Sequence, residues 1–67
     1  MKLHPTISDL IRDIDAFLDR EGMTPTEFGL RSISDPNLYR RLKGGANPRL
    51  ATMDRIRAFM ASRQVAA

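Results

Sequence analysis

Asp35 to Gly45, DPNLYRRLKGG, is the stretch whose reading decides the fold. It joins a helix start, Asp35 then Pro36, to a short apolar ridge, a run of cations and a two-glycine stop. A helix over 36–43 cannot stand alone, because nucleation is costly and stretches below about 12 residues are marginal in water. It needs neighbours to brace it. Wound at about 100° per residue, it places Leu38, Tyr39 and Leu42 on one side and Asn37, Arg40 and Arg41 on the other. The first side docks, with the Tyr39 hydroxyl left wet, and the second faces outward.

The bracing elements lie on either side. Upstream, MTPTEF over 23–28 is the strongest helix start in the chain. Thr24 is placed to cap, Pro25 takes the first helical position, Glu27 completes a reciprocal capping box, and Met23 and Phe28 are spaced as a hydrophobic staple. This helix spans 25–32 and ends before Ile33, Ser34 and Asp35, since a residue preceding proline is pushed out of the helical region. Downstream, Asn47 and Pro48 open a last helix over 49–62. Its apolar stripe is Leu50, Met53, Ile56 and Met60, widened by Thr52 and Phe59, while Arg55, Arg57 and Arg63 read as a solvated face. Methionines at this spacing are core filler.

The chain before Met23 is a first helix over 6–21. Ile7, Leu10, Ile11, Ile14, Phe17 and Leu18 recur at spacings of three and four, Thr6 with Asp9 resembles a capping box, and Gly22 closes the helix. Its other side carries Asp9, Asp13, Asp15 and Asp19, which reads as a solvated face. Residues 1–5, with the single histidine His4, and 64–67 are expected to fray. No strand-like alternation appears, so the expected fold is an all-α, compact four-helix single domain over 1–67.

At 67 residues the chain buries only about 60% of its unfolded surface, which leaves no room for a second domain. With no cysteine, stability must come from apolar packing or oligomerisation, and a reducing cytoplasm fits. No stretch approaches the roughly 20 apolar residues of a membrane span, and MKLHPTISDL lacks the apolar region of a signal peptide. The net charge of +3 is polarised. Through Gly22, three cations meet five carboxylates; from Met23 onward, eight cations meet Glu27, Asp35 and Asp54. A basic two-thirds beside an acidic first helix points to a polyanion partner.

Catalytic chemistry is missing from the inventory. The one histidine lies in the terminal arm, there is no cysteine nucleophile, and no serine has a base at an arguable distance. Gly44 and Gly45 lack the context of a phosphate-binding loop, and zinc or calcium fails on ligand count. No enzyme, cofactor, metal or small-molecule substrate is expected.

From Met23 to Met60 the chain resembles the Cro and phage-repressor type of helix-turn-helix protein, called XRE-like, with the lambda-repressor-like fold. MTPTEFG is similar to that family's opening of the first motif helix, with Gly29 at its close-packed small position, and PRLATMDRIRAFM over 48–60 is similar to the stretch after the motif. Gly44 or Gly45 matches the glycine that ends the recognition helix. Pro25 stands where the family usually has glutamine, Arg57 where it has a small residue, and Ile33, Ser34 and Asp35 where glycine, an aliphatic residue and serine are usual. The resemblance implies a motif over about 24–44, a shifted or tighter turn, and a helix over 36–43 entering the major groove of double-stranded DNA.

Resemblance and helical wheel then select the same residues. Asn37 can pair with adenine, and Arg40 or Arg41 with guanine or phosphate. Thr24, Thr26, Lys43 and Arg49 suit phosphate contacts. One module reads few bases, so a homodimer is expected, with Leu50 and Phe59 at the margin of the last helix as its candidate surface. The implied function is a sequence-specific DNA-binding transcription regulator, a small phage- or prophage-type repressor. The alternative is an antitoxin or adaptor using the same scaffold, its acidic first helix binding a basic protein.

Overall fold

The computed structural model describes residues 5–64, and among these the regular structure is four α-helices with no strand. They are α1 (Pro5–Glu21), α2 (Pro25–Ile33), α3 (Leu38–Lys43) and α4 (Leu50–Gln64). Pro5 and Gln64, expected to fray, are helical; the remainder of the expected frayed ends, 1–4 with His4 and 65–67, lies outside the described residues. The radius of gyration, 11.3 Å, is close to the roughly 11 Å of a folded chain this long. No described helix is long and apolar enough to cross a membrane.

Each boundary has a local cause. Thr24, extended at φ −81° and ψ 155°, accepts the Glu27 N–H at 3.1 Å and caps α2 behind Pro25. The reciprocal half of the box does not form, because the Glu27 carboxylate reaches forward to Arg31 at 3.0 Å instead. Gly22 and Gly45 close α1 and α3 at φ 64° and 99°, where a side chain would be strained.

The core draws on all four helices. Ile7, Leu10, Ile14 and Phe17 of α1, Phe28 of α2, Leu38 and Leu42 of α3, and Ile56 and Met60 of α4 are all buried. At its centre Phe17, Phe28 and Phe59 meet edge to face, with ring centroids 5.6 to 5.8 Å apart. This is the arrangement aromatic quadrupoles favour. Phe59 is half-buried and packs its ring against this core. Leu50, the first residue of α4, leaves the stripe at 70% exposed, whereas Met53 one turn on packs against the core.

Of the α4 arginines expected on a solvated face, Arg55 is exposed and the other two reach α1. Arg57 pairs with Asp13 at 3.0 Å and Arg63 with Glu21 at 3.3 Å, so both clasp α4 to α1. These pairs are exposed and contribute about 0.2–1 kcal/mol each. Packing dominates over ion pairing in holding the helices together.

α2 lies against α4 and α3, and α3 also packs on α1. What sets the approach of α2 and α3 is Gly29, where an added Cβ would collide with the Asp35 carbonyl. The turn reaches this position because Ser34 is left-handed at φ 60°. Its N–H bonds to the Leu30 carbonyl and the Asp35 N–H to that of Gly29, each at 3.0 Å. A non-glycine residue rarely takes this conformation, which costs about 1–2 kcal/mol, and the two hydrogen bonds of the turn offset it.

Candidate nucleic-acid interface

The helix expected over 36–43 begins at Leu38, two residues late. The reason is the Asp35 side chain. Its Oδ1 accepts the Asn37 N–H at 2.9 Å, and its carbonyl accepts the Leu38 N–H at 3.2 Å. Pro36 and Asn37 are thereby held in a turn, with Asn37 at φ −100° and ψ 7°. Asp35 satisfies the N–H that Asn37 would otherwise leave free, and the Asn37 side chain makes no cap.

That leaves the Asn37 amide for another partner. Its Oδ1 accepts a hydrogen bond from Arg40 Nη2 at 3.0 Å, and both side chains are exposed. An amide and a guanidinium are each the type of group that pairs bidentately with purine edges. Arg41 is placed differently. Its guanidinium meets Asp35 Oδ2, which is itself shut off from solvent. Lys43 lies over the Tyr39 ring, its Nζ 5.5 Å from the centroid.

Tyr39 does more than pack. Its hydroxyl, expected to be wet, donates to the Asp15 carboxylate and ties α3 to α1. That hydrogen bond pushes the phenol pKa above its ordinary value, with desolvation and the Asp15 charge adding to it. Two of the four α1 aspartates expected on a solvated face, Asp13 and Asp15, are thus engaged within the fold.

The other expected contact residues fall in two places. Arg49, just ahead of α4, shares with Arg41, Asn47 and Thr52 the wall of a cleft of about 430 Å³ floored by Leu38 and Leu42. Thr24 and Thr26 are exposed at the start of α2, and neither side chain hydrogen-bonds to α3. The structure therefore bonds Asn37 to Arg40 and sets Arg41 and Arg49 along one cleft. It leaves the two threonines apart. Aspartate before proline at a turn signals a side chain that captures backbone N–H groups, but no sequence pattern marks Asp35 as a partner of Arg41.

No protein-family model, curated protein or solved structure matches the chain. Among the described residues no three histidine or acidic side chains converge as metal ligands.

Proposed function

We propose that this chain is a sequence-specific double-stranded-DNA-binding regulator, a small repressor in which α2, its turn and α3 act as a lambda-repressor-like helix-turn-helix. The observation that carries this reading is the division of α3. Leu38 and Leu42 are 3% and 1% exposed, whereas Arg40, Arg41, Lys43 and the adjoining Asn37 are all exposed. A helix this short, held by two leucines and presenting polar groups, suits insertion into a major groove.

In this reading Asn37 and Arg40 read base edges, while Lys43 and Arg49 meet phosphates and Thr24 and Thr26 hold the register at the start of α2. Two copies bind a two-fold related site, since one α3 spans few base pairs. An adaptor whose acidic α1 binds a basic protein fits less well, because Asp13 and Asp15 already have partners inside the domain.

The test is binding of the chain to the duplex just upstream of its own gene, against a scrambled duplex, at two salt concentrations. Tighter binding to the upstream duplex, with log affinity falling linearly in log salt, is expected. Equal binding to both duplexes, or affinity insensitive to salt, overturns the reading.

A further inference from the structure

We infer that Asp35 and Arg41 form a latch that aims α3, which makes Arg41 a positioning residue rather than a reader of bases; the inference rests on the DNA-binding reading. Asp35 is bonded to both helices at this corner. Its backbone already touches both: the N–H donates to the Gly29 carbonyl of α2, and the carbonyl, which lies where a Gly29 Cβ would stand, accepts the Leu38 N–H of α3. Its side chain belongs to α3, with Oδ1 on the Asn37 N–H and Oδ2 on the Arg41 guanidinium. Arg41 is itself one turn beyond Asn37, to whose carbonyl its N–H donates at 3.0 Å. The carboxylate therefore spans the first turn of α3 from outside and fixes it to α2.

The two arginines differ in what they would leave behind on moving to DNA. Arg40 would release an exposed, neutral amide oxygen that water can take over. Arg41 would abandon a buried carboxylate oxygen, on a side chain only 19% exposed. Unpairing a shielded charge costs far more than giving up an exposed neutral hydrogen bond. A cation already neutralised by a carboxylate also releases few counterions at a phosphate. Arg40 is free to read, and Arg41 holds.

Asp35→Asn removes the charge yet keeps an oxygen for the Asn37 N–H, and Arg41→Gln removes the other half. In a double-mutant cycle on urea unfolding of the full chain, the two substitutions are expected to couple, with about a 5-fold deviation from the product of the single effects on the folding constant. Should Arg41→Gln fail to fold, Arg41→Lys, which keeps the charge and loses the fork, takes its place in the cycle. Independent effects overturn the latch.

On a scrambled duplex, Asp35→Asn should steepen the salt dependence by about 0.9, because Arg41 is released to a phosphate. Arg41→Gln should leave the salt slope unchanged and weaken binding to the preferred duplex several-fold with no selective loss at any one base pair, whereas Arg40→Gln relaxes the preference at one. A shallower slope, or lost discrimination at one base pair, in Arg41→Gln also overturns the latch. If the parent chain binds no duplex, the DNA-binding reading fails and the unfolding cycle alone decides the latch.

Discussion

The Asp35 carbonyl occupies the space beside Gly29 that any Cβ would need. Because Gly29 is in the middle of α2, helix propensity alone makes alanine there more stable by about 1 kcal/mol. The contact with the turn reverses that sign. Gly29→Ala is expected to destabilise the domain by about 1–3 kcal/mol, since the obstacle is backbone and cannot rotate away. Gly44→Ala is the control: its added Cβ would stand 3.4 Å from the Arg40 carbonyl oxygen, an ordinary contact. Urea denaturation followed by circular dichroism should separate the two, and equal midpoints would remove Gly29 from the account of the turn.

The aromatic centre should outweigh the ion pairs that surround it. Phe28 is fully buried and touches both Phe17 and Phe59, so Phe28→Ala should cost about 3–5 kcal/mol. A chain of this size has roughly 3–10 kcal/mol of total stability, which leaves that variant largely or marginally unfolded at room temperature. Arg57→Gln, breaking an exposed pair with Asp13, should cost no more than about 1 kcal/mol. Thermal melts of the two variants check the order, and a greater loss in Arg57→Gln would contradict it.

Tyr39 gives a direct optical probe, since the chain has one tyrosine and no tryptophan. Its phenol is held protonated by the bond to Asp15, so its pKa in the folded state lies above that in the unfolded chain. Below the unfolded value, about 10, the whole of this stabilisation is present. It is lost as pH rises from there through the folded pKa, because the unfolded state ionises first. Phenolate absorbance should therefore titrate at higher pH in the native protein than in urea. Tyr39→Phe should cost about 0.5–1.5 kcal/mol at neutral pH and remove this part of the alkaline dependence. Native and denatured titrations that coincide would count against the bond.

What the sequence reveals here is set by the range of the forces involved. Capping of α2 by Thr24 and Pro25, and the burial of Ile7, Leu10 and Ile14, depend on neighbours within a turn or two, and period and residue type display them. Asp15 meeting Tyr39, Arg57 meeting Asp13 and Phe59 joining Phe17 depend on how the helices cross, over separations of 24 to 44 residues. No local pattern encodes those crossings. The late start of α3 is a middle case. Asp35 can cap a helix opening at Pro36 or fold a turn that delays it, and the second wins because the left-handed Ser34 carries Asp35 back against Gly29. Asn37, Arg40 and Arg41 were all legible as exposed, but the Asp35 side chain that separates Arg41 from the other two was not.

Lys43 and Arg49 bear on the proposed interface through charge alone. Lys43 rests on the Tyr39 ring, a weak hold that a phosphate can displace, and Arg49 is exposed ahead of α4. If each meets a phosphate, Lys43→Ala and Arg49→Ala should both weaken binding uniformly across sequences and flatten the salt dependence by about 0.9. Arg40→Ala should instead cost about 1–3 kcal/mol at one base pair of the preferred site. The two classes separate when variants are measured on the preferred duplex and on single-base changes of it at several salt concentrations. A uniform loss for Arg40→Ala would place it among the phosphate contacts, and base-selective losses for Lys43→Ala or Arg49→Ala would move the reading surface toward the end of α3.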